Sequence, residues 1–159
     1  MKTLIAYYSY SGITEKVVKF YEAELSGSGQ VTVQRLKPKQ EITTFLGQCR
    51  AAFSRKRAEL EGIVEFDAKG YDLIVIGSPV WAFAPVPAIN TYLDKITGID
   101  GKKVIILLTS GSGAGVGNCF NVIKKALEEK KAGRIETVNV PNRTMNDEGA
   151  IKNAFKKLL

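Results

Sequence analysis

Six residues, Ser9-Tyr10-Ser11-Gly12-Ile13-Thr14, set three aliphatic hydroxyls and a glycine between an apolar strand and the first turn of a helix. A helix start leaves backbone N–H groups unpaired and carries partial positive charge, so hydroxyls alternating through such a turn can complete a cage for a phosphate. No lysine or arginine is needed for that chemistry. The turn has neither the Gly-Lys-Ser/Thr of a Walker-type loop nor the three glycines of a dinucleotide-binding turn. An ordinary Ser/Thr helix cap is the other reading of the same residues.

Two more loops stand at the same kind of position. The buried-strand pattern Tyr71 to Ser78 runs into Pro79-Val80-Trp81-Ala82-Phe83-Ala84-Pro85, and Lys103 to Leu108 runs into Thr109-Ser110-Gly111-Ser112-Gly113-Ala114-Gly115. In a parallel sheet, strands that feed crossover helices all end on one side, so the three loops converge on one crevice. Trp81, the only tryptophan, lies among Pro79, Pro85 and Pro87, which stiffen the backbone that carries it. Stacking on a planar ligand there would add about 0.5–1.5 kcal/mol beyond area burial. The competing reading makes Trp81 a cap on the core or a dimer contact, and alternation points Phe83 the other way. Gly111, Gly113, Gly115 and Gly117 allow backbone N–H groups to approach a ligand without an intervening β-carbon. Pro79 to Pro87 contains no glycine. A peptide flip in this loop that needs positive φ at Ala82, Phe83 or Ala84 would cost of order 1 kcal/mol or more.

This trio of loops resembles the flavodoxin-like family of FMN proteins, whose first loop reads Ser/Thr-x-Ser/Thr-Gly-x-Thr. Ser9, Ser11, Gly12 and Thr14 match that pattern, and the order of strands and helices is similar over essentially the whole chain. The resemblance implies FMN as cofactor, with Ser9, Tyr10, Ser11, Gly12, Ile13 and Thr14 around its phosphate. It places Pro79, Val80, Trp81, Ala82 and Phe83 in one loop beside the flavin and Ser110, Gly111, Ser112 and Gly113 in the other. The implied function is redox: electron transfer, or NAD(P)H-dependent reduction of a quinone or similar small-molecule acceptor, with a redox partner protein or NAD(P)H as the other reactant. No catalytic side chain is assigned, because the flavin carries the chemistry. The alternative is a cofactor-free domain of the same fold that serves interaction or signalling. A phosphoryl-accepting signalling module would need an aspartate after the first strand, where this chain has Tyr8-Ser9.

The chain departs from electron-carrier flavodoxins in two respects. Such carriers commonly place a tyrosine in the third loop and are strongly acidic. Here the third loop has no aromatic plate, which leaves one flavin face open to a substrate or partner, and 23 Lys+Arg against 16 Asp+Glu give a formal charge of +7.

The elements that must position these loops follow from periodicity. Strands are expected at Thr3 to Ser9, Val31 to Leu36, near Tyr71 to Ser78, near Lys103 to Thr109 and near Arg134 to Val140. Helical spacing appears in Ile13, Val17, Tyr21 and Leu25, then in Val86, Ile89, Leu93 and Ile96. It recurs in Val116, Phe120, Ile123 and Leu127, and in Ile151, Phe155 and Leu158. Strict alternation gives an α/β fold, a doubly wound five-stranded parallel sheet of flavodoxin-like order 2-1-3-4-5, as a single domain over residues 1–159.

Between the second and third strands lie about 30 residues, Pro38 to Lys69, longer than the other crossovers. Ile42, Leu46, Cys49 and Phe53 form a helical stripe expected to face the core, with Leu60 beginning a second one. Arg50, Arg55, Lys56 and Arg57 read as a solvated face, or as a landing site for an acidic partner or for the phosphates of a nicotinamide cofactor.

Composition narrows the remaining classes. With no histidine, Ser-His-Asp and Cys-His catalysis are excluded, and the lack of a cysteine cluster argues against a metal site. Cys49 and Cys119 suit reduced thiols in a cytoplasmic protein, and Cys119 reads as packing. No segment is long and apolar enough to span a membrane, and basic residues without interleaved aromatics argue against nucleic acid. The composition leaves the oligomeric state open.

Overall fold

A strand covered on both faces must be apolar at nearly every position, and three segments meet that demand. They are β1 (Lys2–Tyr7), β3 (Leu73–Trp81) and β5 (Lys103–Ser110), each buried over most of its length in the computed structural model, which describes residues 1–158. The flanking strands β2 (Gln30–Arg35) and β6 (Ile135–Pro141) are only partly buried, as edge strands are. All five pair in parallel in the order β2-β1-β3-β5-β6. A two-residue strand, β4 (Ala84–Pro85), pairs antiparallel with the end of β3. The expected order 2-1-3-4-5 is therefore observed among the five long strands, and the count rises to six because the aromatic loop contributes β4.

Side chains on a strand alternate between the two sheet faces, and each face is covered by two helices. Ile5, Tyr7, Val75, Ile105 and Leu107 pack with α1 (Ile13–Ser26) and α5 (Glu148–Lys156) through Val17, Tyr21, Leu25, Ile151 and Phe155. Leu4, Ala6, Ile74, Ile76, Ile106 and Leu108 pack on the other face with Ile89, Tyr92 and Leu93 of α3 (Pro87–Lys95). Cys119, Ile123 and Leu127 of α4 (Val116–Glu129) complete that layer. Cys119 is thus a core residue, and burial pushes its thiol up to about 12. No described helix is long and apolar enough to cross a membrane.

Three sequence expectations need correction. Pro79, Val80 and Trp81 are not loop but continue β3, with Pro79 still in register with Thr109. The stripe Ile42, Leu46, Cys49, Phe53 does not face the core. The helix there, α2 (Phe45–Phe53), begins after Thr44, whose hydroxyl accepts the Gly47 N–H, and it buries the small residues Ala51 and Ala52 instead. Small side chains let α2 lie close to β3 and β4, which leaves the large ones outside. Leu60 starts no helix; it forms an antiparallel bridge with Pro38 that closes the insertion.

Candidate functional site

β1 stops at Tyr7 and the chain crosses the carboxyl edge of the sheet before α1 begins. Gly12 makes the turn with φ 86°, a left-handed conformation that favours glycine, and offers no side-chain cap. The Glu15 N–H is satisfied by Ser9 Oγ at 3.3 Å and the Lys16 N–H by the Gly12 carbonyl at 3.0 Å. Among the described residues the N–H groups of Ser11, Gly12, Ile13 and Thr14 have no protein acceptor. Four free amides at a helix start form a concave donor surface for an anion, and the exposed Ser11 hydroxyl stands among them.

The other residues of the loop divide between support and lining. Ser9 is buried, and its carbonyl accepts from Arg35 Nη2 at 2.8 Å, while Arg35 Nη1 is 2.9 Å from the Glu15 carboxylate. Arg35 therefore holds the loop in shape and is neutralised by Glu15. Thr14 turns its hydroxyl inward to 2.8 Å from Thr109 Oγ1, which ties the α1 start to the end of β5. Tyr10 stands at the exposed rim of the site, its phenol donating to the Thr43 carbonyl at 3.3 Å.

The aromatic segment is a tight hairpin. Trp81 pairs with Ala84 and Val80 with Pro85, and the turn residues Ala82 and Phe83 have φ 42° and 68°. Positive φ is present at both turn positions without glycine, so the cost counted against a flip is already met in the hairpin as it stands. A two-residue hairpin whose twist matches its strands needs positive φ at both central positions, and contacts to α4 offset the strain. Asn118 Nδ2 donates to the Phe83 carbonyl at 2.8 Å, and the Phe83 ring lies so close over Gly115 that a β-carbon there would be 2.4 Å from Phe83 Cδ1. Ala82→Gly is accordingly expected to stabilise the protein by about 0.5–1 kcal/mol, seen as a higher urea midpoint. A lower midpoint would show that Ala82 is not under this strain.

Trp81 is partly buried, and Tyr8 and Tyr10 meet it edge to face at 5.6 Å and 6.1 Å. The Tyr8 phenol donates to the Glu41 carboxylate, and burial followed by that carboxylate holds its pKa far above the usual phenol range. Tyr8 is therefore a fixed neutral donor that braces Trp81.

Between these parts lies an open cleft of about 160 Å³. Tyr10, Ser11, Ile13 and Thr14 line it from the first loop, Pro79, Val80 and Trp81 from β3, and Ser110 and Gly111 from the end of β5. Ser110 is buried and donates to Asn139 Oδ1 at 3.0 Å. Of the other sequence candidates, Ser9 and Gly12 shape the loop from behind, Ala82 and Phe83 form the turn that docks on α4, and Ser112 and Gly113 stay exposed beyond the cleft. Sequence reasoning missed Thr109 and Asn142, which also line the cleft, and Arg35. Arg35 was legible in principle: it ends β2 opposite Tyr7, beside the first loop.

The arrangement can hold a dianion on the free amides and hydroxyls and a planar ring against Trp81. Among the described residues no group of three or more His, Cys, Asp or Glu side chains is placed to hold a metal ion.

The chain is similar in structure to a protein from Bacteroides eggerthii DSM 20697 provisionally called a flavoprotein, with 25% identity, TM-score 0.74, and 99% of this chain and 97% of that one covered. A flavoprotein from Lactobacillus acidophilus NCFM, crystallised in complex with FMN, is 23% identical with TM-score 0.66, covering 93% and 98% of the two chains. A flavodoxin from the domain Archaea shares the fold at 13% identity and TM-score 0.60, with 99% of each chain covered. No curated protein is matched by the sequence. The model of the flavodoxin family matches residues 2–145, which include all three loops of the cleft, and the chain belongs to that family.

Proposed function

We propose that the protein binds FMN in this cleft and serves as a cytoplasmic redox protein, passing electrons from NAD(P)H or a protein donor to a quinone or similar acceptor. The observation that carries this reading is the set of four free amides beside a Trp81-walled cleft. The FMN complex of the Lactobacillus acidophilus relative supports it. When bound, FMN would supply the electron-accepting ring. The protein's own residues then have three tasks. The amides of Ser11 to Thr14 and the Ser11 and Thr14 hydroxyls hold the phosphate, Trp81 and Tyr10 exclude water from one side of the cleft, and the Thr14–Thr109 pair, in which Thr109 can be the donor, keeps the first and third loops together. The β5 loop brings no aromatic ring over the cleft, which favours a small acceptor reaching the cofactor directly.

Trp81 is the only tryptophan, so its emission reports this site alone. FMN added to the flavin-free protein is expected to quench it, and Trp81→Ala to weaken binding by about 0.5–1.5 kcal/mol. Unchanged emission on titration would remove FMN from this cleft. Anaerobic NADH and NADPH separate the two roles, since rapid bleaching of the flavin bands marks a reductase and unbleached bands mark a carrier.

A further inference from the structure

Helix α2 is built inside out. At about 100° per residue, Phe45, Cys49, Phe53 and Leu46 fall within one arc of about 100°, and Arg50 borders it. The structure exposes Phe45 by 81%, Leu46 by 78% and Phe53 by 84%, while Ala51 on the opposite side and Ala52 next to the Phe45 edge of the arc are buried. Large apolar side chains on a convex surface helix lose hydration free energy that a buried position would recover. From Ile42 to Ala58 there is no acidic residue, and Arg50, Arg55, Lys56 and Arg57 all occur there. Asp94 engages Arg57 at 2.8 Å and 3.0 Å, whereas Arg50, Arg55 and Lys56 form no ion pair among the described residues.

We propose that this face of α2 seats the protein on a lipid bilayer with anionic headgroups, Phe45, Leu46 and Phe53 entering the interface and Arg50, Arg55 and Lys56 meeting the headgroups. A nine-residue helix is about 14 Å long and 10–12 Å wide, so its exposed face is far smaller than the ~800 Å² per partner of a stable protein interface. A convex row of bulky rings also needs a matching groove in a protein partner, but none in a bilayer. A second copy of the chain would bring +7 against +7 and one basic rim against the other. The same charges attract an anionic leaflet, where each nearby Lys or Arg contributes to binding. α2 packs on β3 and β4, so the bilayer contact lies beside the hairpin that carries Trp81. The inference stands whether or not the cleft holds a flavin.

The test is co-sedimentation of the purified full chain with phosphatidylcholine–phosphatidylglycerol vesicles and with phosphatidylcholine vesicles alone. Wild type is expected to sediment with the anionic vesicles and not the neutral ones. F45S/F53S and R50E/R55E should each reduce partitioning by roughly tenfold or more. All four positions are exposed, so native circular dichroism is expected in both variants. K156E/K157E, which makes the same charge change at the exposed end of α5, should partition as wild type does. Four outcomes would overturn the proposal: no sedimentation of wild type, undiminished binding by F45S/F53S, equal loss in K156E/K157E, or a solution dimer that F45S/F53S dissociates. Retention on an immobilised acidic protein through the same residues, without vesicle binding, would assign the face to a protein partner instead.

Discussion

Ser11→Ala and Thr14→Ala are each expected to weaken FMN binding by about 1.5–3 kcal/mol, tenfold or more, while riboflavin binding changes little. The difference between the ligands is the phosphate, and a hydrogen bond to a charged group contributes that much. The two positions test different things. Ser11 is exposed beside free amides, so its hydroxyl can turn to an anion without breaking a contact. Thr14 is buried and paired with Thr109, so its removal also strands the Thr109 hydroxyl and lowers stability by about 1–3 kcal/mol. Thr109→Ala supplies the control, because it breaks the same pair and leaves Thr14 free to donate. Isothermal titration with both ligands reads the result. Equal loss for FMN and riboflavin would mean that the hydroxyls act on the fold and not on the phosphate.

Gly115→Ala is expected to destabilise the protein by about 2–5 kcal/mol and to shift Trp81 emission. Gly115 has φ 77°, and a β-carbon there would meet not only the Phe83 ring but its backbone, at 2.6 Å from Phe83 Cα. A left-handed alanine costs about 1–2 kcal/mol and the overlap about 1–3 more. A flexible side-chain end could swing aside, whereas the hairpin backbone can only retreat as a unit, taking Trp81 with it. Gly113→Ala separates the two terms. Its φ of 82° is as unfavourable, but nothing lies within 4 Å of the added carbon, so only the conformational part remains. Thermal melts of the pair, read by far-ultraviolet circular dichroism and by tryptophan emission, measure both. If the two variants melt alike, Phe83 does not press on Gly115.

What the sequence disclosed, and what it withheld, follows from the range of each interaction. Runs such as Ile74-Val75-Ile76 and Ile105-Ile106-Leu107 demand cover on both faces, and with amphipathic segments between them they leave little choice but a doubly wound sheet. The first loop was legible because its hydroxyls and glycine act within six residues. Thr109 was not, since its role depends on Thr14 from another strand's crossover. The turn at Ala82-Phe83 defeated a local rule because Asn118 on α4 and Gly115 just before it, out of any sequence window, hold it. The orientation of α2 failed for a related reason. Periodicity locates an apolar stripe but cannot say that the small residues outside it, Ala51 and Ala52, fit closer to the hairpin.

The pair Thr14–Thr109 joins positions 95 residues apart, and the cleft around it draws on four separate stretches of chain, the last at Asn142. Such a cleft cannot form early, because loop-closure entropy must be met for β1, β3 and β5 before their loops stand side by side. A chain still emerging from the ribosome has no complete site of this kind until Asn142 is out. FMN bound there recognises the finished fold and nothing less, and it deepens the native state by an amount that grows with the free cofactor concentration. With FMN in the cleft, the supply of free cofactor then bears on how often the chain opens to proteolysis.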